Sequence, residues 1–472
     1  MNPAKITGLK NFRRSPSWFR VLNHVWKGTY FMGTRIRLEK DDLIRSARKV
    51  TGLHDLGKDF LDEPLERLLK AIDEEANLHP VGRFITRERF VSLLSIRLRA
   101  EFFFKKHPEI LEQQLYPAWI IVGLQRTGTT KLQRLLSVDT DHRVIPSWEV
   151  INPVPIDLGL YDLSESNRVT GSQSHRVTGS QSNRVTGSQS NRVTGSFTQP
   201  FTGLPVHSFT GSLYPSPNDK RISVANTSVK AVKLMSPGFF AIHPIDTMQP
   251  EEDILMLDVS FLSTTPEAMM HVPSYANWLE HTDQSPAYAY AVKMLKFLQW
   301  IKPAKRWILK TPHHLEFPGL IEKHFGEVHF LWPHRSLYES VPSFLSMVTY
   351  NRMIFSDQVD EKEVARHWVR KTGYMLEKAL DYRLQGGNDL KFTDIFYKDL
   401  LNDSIPVLST IYQLDGGLKP AMIELFRQHE LEHPHRKHGE HQYSLADFSL
   451  TEADIDIHTA RYQKIFNRIY DR

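Results

Sequence analysis

The sequence contains no cysteine. That excludes disulfides, thiolate nucleophiles and cysteine-ligated zinc or iron–sulfur sites, and a reducing, cytoplasmic setting is the expectation that goes with it. Long apolar runs are missing too: none approaches the roughly 20 residues needed to span a bilayer, and no apolar segment of a secretory signal opens the chain. Acidic residues are absent from positions 1–38, where Lys5, Lys10, Arg13, Arg14, Arg20, Lys27, Arg35 and Arg37 are interleaved with Trp18, Phe19 and Trp26. A basic N-terminal arm over 1–40 is expected, folded on the domain or loose, with a transit or membrane-surface segment as the alternative. Over the whole chain 59 Lys+Arg against 54 Asp+Glu give a net charge of +5. That balance is too mild for a dedicated nucleic-acid binder but suits an anionic ligand.

The chain has 472 residues, 40% apolar and 24% charged, enough for one large α/β domain with appendages. Positions 41–115 read as a helical N-terminal region, because Leu43/Ala47, Leu65/Leu69 and Leu94/Leu98 sit four apart among charges. Turn signals fall at Gly52, Gly57 and Pro80-Val-Gly82. In 116–472, the apolar runs Trp119–Val122, Trp307–Lys310 and Val328–Trp332 read as strands. Helical stretches at 287–300, 318–325, 360–383 and 451–470 alternate with them or follow them. Strands alternating with helices predict a mainly parallel sheet in a three-layer α/β/α fold, with ligands at the strands' C-terminal ends. A low-complexity insert over 164–218 interrupts this domain. Its core is Ser166-Asn-Arg-Val-Thr-Gly-Ser-Gln173, which recurs from 174, 182 and 190 with one aliphatic residue per unit, too few to bury a core. Disorder and a tolerated surface expansion are the expectation there.

The most specific signal is Gly123-Leu-Gln-Arg-Thr-Gly-Thr-Thr130. It is entered from the apolar run Ala118–Val122 and leaves into Lys131-Leu-Gln-Arg-Leu-Leu136. A buried strand, a glycine-bounded loop and a leucine-faced helix together hold an anionic group on backbone N–H donors. The spacing is that of a nucleotide-binding loop, yet Thr129 stands where an NTPase has its lysine. Elsewhere, Lys310 ends a strand just before His313 and His314, Arg335 ends another, and Ser343 lies eight residues further along. Pro146-Ser-Trp-Glu149 returns a carboxylate toward the sheet edge.

With these residues in place the chain resembles the PAPS-dependent sulfotransferases whose loop reads G-x-x-R-T-G-T-T. The likeness runs from about residue 41 to 452, outside the insert. Leu309–Leu315 match the L-K-S/T-P-x-H-L element and His441–Leu450 the late H-x-Y-S-L-x-D-F-x-L stretch. Glu251-Glu-Asp253 and Pro273–Trp278 look like family positions, while Gln125 replaces a usual proline.

The resemblance implies that PAPS is the co-substrate and that no metal takes part. Gly123, Gln125, Arg126, Thr127, Gly128, Thr129 and Thr130 would hold the 5′-phosphosulfate. Arg335 and Ser343 would hold the 3′-phosphate, with Lys437, in the basic turn Arg436–His438, closing over the nucleotide. A small-molecule hydroxyl is the implied acceptor. Lys310 would stabilise charge on the bridging oxygen, and the base would be Glu149 first, His313 or His314 second.

Two rival readings remain open from the residues alone. One is a P-loop kinase or ATPase using Asp258 at the end of Ile254–Leu257. Against it, Pro250-Glu-Glu-Asp253 reads as a helix start, and a helix there would turn Asp258 away from a metal. The other is a non-catalytic nucleotide-binding scaffold.

Overall fold

The computed structural model describes residues 16–115, 118–158, 219–433 and 443–470. The tandem repeat, Lys437 and residues 1–15 of the basic arm lie outside them. Four helices open the described chain: α1 (Ser17–Gly28), α2 (Lys40–Thr51), α3 (Asp62–Glu74) and α4 (Pro80–Lys106). Helix α2 has Asp41 and Asp42 in its first turn and Arg48 and Lys49 in its last, each sign favoured at its end of the helix dipole. The leucines that predicted this region are buried, Leu43, Leu65 and Leu94 completely. One expectation is corrected: Pro80-Val-Gly82 is the first turn of α4 and not a break. Proline at N1 costs no hydrogen bond, and the His79 ring accepts from the Gly82 N–H at 2.8 Å.

Strand β1 (Ala118–Ile121) is buried along its length and leads through the loop into α5 (Thr129–Leu136). Next come β2 (His142–Arg143) and α6 (Ser147–Ile151). Beyond the insert, α7 (Lys220–Met235) and α8 (Pro237–Ile242) precede α9 (Ile254–Asp258). The two chain segments flanking the insert meet at Arg221, fully buried over the Trp148 ring. It is paired with Asp219 and donates to the carbonyl of Pro153 at 3.1 Å. Helices α10 (Thr265–Met269), α11 (Pro273–Glu280) and α12 (Ser285–Ile301) then lead to β3 (Arg306–Lys310).

A 3-10 turn, Pro312–Glu316, precedes α13 (Pro318–Phe325), β4 (Val328–His334), α14 (Leu337–Arg352) and α15 (Glu361–Arg383). Last come β5 (Phe392–Phe396), α16 (Tyr397–Asn402), α17 (Ser404–Tyr412), α18 (Pro420–Glu432) and α19 (Glu452–Ile465).

The five strands are parallel, in the order β2-β3-β1-β4-β5. Trp119, Ile121, Ile308, Leu331 and Ile395 face the side covered by α5, α17 and α18, where Leu132, Leu135 and Leu136 are at most 1% exposed. Burying each of these leucines stabilises the fold by roughly 1.5–3 kcal/mol. On the other side Phe330 meets Tyr382 of α15, and Trp332 meets Tyr462 of α19. Three layers follow, as the alternating pattern predicted. Because β1 is central and its two neighbours come later in the chain, its loop opens where the sheet order reverses, the usual ligand crevice of such folds.

The turn after β3 is tied to α15 through charge. Lys371 is buried between Glu316 at 3.0 Å, Glu280 at 3.2 Å and Glu267 at 3.9 Å. Burial works against ionisation of Glu267, but Lys371 and His367 hold it below the ordinary carboxylate range. Glu316 goes the other way, pushed by burial up to about 7. Arg370 also pairs with Glu280 and His367 with Glu267, which leaves Glu316, deep in the interior, the carboxyl that holds its proton longest as pH rises. Between its ordinary 4.5 and about 7 the folded state therefore binds a proton that the unfolded state has released. The contribution of Glu316 to stability falls as pH rises through that window. Glu316→Gln removes the titration, so its Tm relative to wild type should climb between pH 4.5 and 7. A difference that stays flat across the window would show that Glu316 is ionised in the fold.

Candidate functional site

The loop after β1 has the backbone geometry of an anion cradle. Arg126 (φ 68°) and Gly128 (φ 95°) are both left-handed, and such residues in a loop turn successive N–H groups to one side. Gly128 is the N-cap of α5 and no side chain caps that end. The first-turn N–H groups of Thr129, Thr130 and Lys131 have no intrahelical acceptor and form a donor set at a helix N-terminus. A Cβ on Gly128 would lie 2.7 Å from the Tyr397 ring, so both its φ and its neighbour require glycine. The Thr127 hydroxyl closes the loop internally by donating to the Leu124 carbonyl at 2.7 Å. Thr129 is buried and Gln125 and Thr130 are half-buried in this turn. Gly123 enters it with Thr129 and Pro333 packed against its α-carbon side.

Three cations surround the cradle. Arg126 donates from Nε to the Ser343 hydroxyl at 3.0 Å. Its pKa is lowered by burial and, further, by Arg335. Arg335 donates to the Arg126 carbonyl at 3.0 Å, lies over the Tyr397 ring at 4.4 Å, and pairs with Glu339 at its exposed edge. The predicted partners Arg335 and Ser343 are thus brought to the loop through Arg126. Lys310, opposite Ile121 in the ladder, has a side chain only 2% exposed. Its ammonium contacts Glu252 at 2.9 Å.

Both histidines follow the end of β3 in the turn Pro312–Glu316. His314 is buried with both ring nitrogens engaged, by the Asp253 carboxylate at 2.8 Å and the Tyr288 hydroxyl at 3.0 Å. His313 is also buried. Its Nδ1 lies 3.3 Å from the Thr264 hydroxyl, and its Nε2 has no hydrogen-bond partner among the described residues. Burial and the adjacent His314 hold the His313 pKa well below the ordinary value. Asp253 also accepts the Lys310 N–H at 2.8 Å. Burial would raise its pKa, but His314 and the backbone donors hold it low. The pair Asp253–His314 therefore fixes the end of β3.

Glu149 is placed by a buried ion pair. It is 1% exposed and accepts from Arg143 at 2.9 Å, and the Arg143 guanidinium lies over the Trp307 ring, three residues before Lys310. Six residues upstream in the chain, Arg143 captures the carboxylate that spacing alone had sent to the sheet edge. Asp258, the rival metal ligand, lies in helix α9 and accepts from Arg89 and Ser263.

Residues to which sequence reasoning assigned no role at this site meet there. Glu252 and Glu251 were visible as an acidic helix start, but their contact with the Lys310 region comes only from the fold. His243, just past α8, lies 4.0 Å from Glu251. Burial lowers its pKa, Glu251 and Glu252 raise it, and Lys310 and Arg126 lower it, so all five groups share one field. Nothing in the local sequence around His243 marks it. Tyr397 was likewise hidden at the start of α16.

Comparisons with known proteins bear on the segment after the insert and on the fold. A family model described as the sulfotransferase family matches residues 205–416. The fold is similar to that of sulfotransferase STF1 from Mycobacterium tuberculosis H37Rv, at 24% identity and a TM-score of 0.67, covering 90% of this chain and 98% of that one. It is also similar to sulfotransferase STF9 from Mycobacterium avium, at 20% identity and a TM-score of 0.73, covering 91% and 97%. No curated protein matches the sequence. The sulfotransferase family model thus matches the segment from 205 to 416, and the fold of the chain is that of the two solved sulfotransferases.

Proposed function

We propose that the protein transfers the sulfonate group of PAPS to a hydroxyl of a small-molecule acceptor. The observation that carries this reading is the Lys310 ammonium, buried at the end of β3 beside a β1 loop whose own lysine is replaced by Thr129. The donor fits the residues present. Backbone N–H groups of the loop and Arg126 match a 5′-phosphosulfate, while Arg335 and Ser343, linked through Arg126, match a 3′-phosphate.

In the reaction the acceptor oxygen forms a bond to sulfur as the bond from sulfur to the bridging oxygen breaks. The departing 3′,5′-bisphosphate takes the electron pair, and Lys310 with the loop donors stabilises that charge. The acceptor proton passes to a carboxylate. Glu252 suits this role because it is 27% exposed and already touches Lys310, whereas Glu149 and both histidines are sealed in. Binding of the donor draws Lys310 from Glu252 to the sulfonate and frees the carboxylate for the acceptor. His314 and Asp253 act through Lys310 by fixing its strand end.

Labelled PAPS offered with a panel of hydroxyl acceptors tests the activity; nucleotide binding without turnover would return the scaffold reading. In that assay Lys310→Ala should lower kcat by roughly 10²–10³, and an unchanged kcat would remove Lys310 from the chemistry. Glu252→Gln should cost on the order of 10²–10⁴ in kcat. Glu149→Gln should instead chiefly destabilise the fold, because it weakens the buried partner of Arg143. The opposite pattern, with Tm unchanged and turnover lost in Glu149→Gln, would return Glu149 as the base. Arg335→Ala should weaken binding of the desulfonated nucleotide by at least roughly tenfold, measured calorimetrically; equal affinity would sink its phosphate role.

A further inference from the structure

Helix α1 carries an apolar stripe that the fold leaves uncovered. One side of the helix is anchored on the start of α4. Phe19 is buried edge-on against the His79 ring, and the Asn23 side-chain Oδ1 accepts the Val81 N–H at 3.0 Å. Trp26 packs on Phe84. This anchoring fixes what the other side presents. Trp18, Val21, Leu22 and Val25, at i, i+3, i+4 and i+7, share one face and are 45%, 62%, 45% and 61% exposed. Met32, just after the helix, is 69% exposed. These residues sit inside the stretch 1–38, which carries eight Lys and Arg and no Asp or Glu.

From this juxtaposition we propose that α1 docks the protein on an anionic membrane surface, its apolar stripe in the interface and its cations on acidic headgroups. Charge decides between occupants. A second copy of the chain would bring Arg20, Lys27, Arg35 and Arg37 against like charges, whereas an anionic bilayer complements them and covers the stripe as well. Nucleic acid would answer the charge but leave four large apolar side chains in water. Among the described residues no helix is long and apolar enough to cross a membrane. The contact proposed is therefore one in the plane of the interface. It does not depend on the sulfonate-transfer reading.

The test is co-sedimentation of the full-length protein with vesicles of phosphatidylcholine alone and of a two-to-one mixture of phosphatidylcholine and phosphatidylglycerol. Wild type should bind the mixed vesicles at least roughly tenfold more tightly than the neutral ones, and added salt should weaken the binding. The double variant Val21→Asp/Val25→Asp should lose the binding while keeping its Tm, since both positions face solvent. Arg20→Gln/Lys27→Gln should weaken it several-fold. The proposal is overturned if wild type ignores the mixed vesicles, if it binds both kinds equally, or if the double variant binds as wild type does. A wild-type dimer that the double variant dissolves, seen by analytical ultracentrifugation without vesicle binding, would assign the stripe to a second copy instead. Duplex-DNA binding without vesicle binding would likewise overturn it.

Discussion

The site depends on how one buried carboxylate, Asp253, is satisfied. A carboxylate held away from water is costly unless its lone pairs find donors, and Asp253 finds the Lys310 N–H and the His314 ring. In return the Asp253 N–H donates to the Lys310 carbonyl at 3.3 Å. The chain between α8 and α9 is thereby stapled to the end of β3. That staple brings Glu252 onto the Lys310 ammonium, and the segment from Pro244 to Glu251 carries His243 into the same field. Without it, a connection arriving from a separate part of the chain would have no reason to cross the strand ends. The charge of Asp253 is thus spent on position, while its neighbour Glu252 keeps one side open to solvent.

Where local physics decides, the sequence was legible. The buried run Trp119–Val122 could be nothing but a central strand once a glycine loop and a leucine-faced helix followed it. Strands β3 and β4 read the same way, and the loop's handedness is implied by Gly128 and by the helix start at Thr129. Strands β2 and β5 were not legible. The first has two residues. The second, Phe392-Thr-Asp-Ile-Phe396, mixes in Thr393 and Asp394, which look polar in isolation but are taken up by His329 and by His334 with Arg383. An edge strand that answers its neighbours' polar groups loses the apolar signature by which strands are found.

The site divides along the same line. Loop residues and strand-end cations follow from the strand-loop-helix pattern, so the positions of Arg126, Lys310 and Arg335 beside the loop could be read from it. Acid and base partners do not follow, because they are chosen by contacts between segments far apart in sequence. Glu149 illustrates this: its spacing from the loop was suggestive, but a buried carboxylate pairs with whichever cation shares its pocket, and that is Arg143. His314 illustrates the converse, since a residue close to the buried Lys310 is recruited, through Asp253, to hold its strand end.

Arg126 shows how the strain of such a loop is borne. A non-glycine residue in the left-handed region costs roughly 1–2 kcal/mol, and this one is also half-buried with its charge beside Arg335. Its carbonyl accepts from Arg335, its Nε donates to Ser343, and its outer nitrogen reaches the Ile242 carbonyl at 3.4 Å. One strained residue therefore joins the loop, the β4–α14 junction and the end of α8. Hydrogen bonds involving a charged partner contribute roughly 1.5–3 kcal/mol each, enough to offset the backbone cost several times over. What they do not offset is the crowding of like charge, which rises as Arg126, Arg335 and Lys310 converge. An anion held by the loop's N–H donors relieves that repulsion, so the strained loop and the cations converging on it suit the same ligand charge.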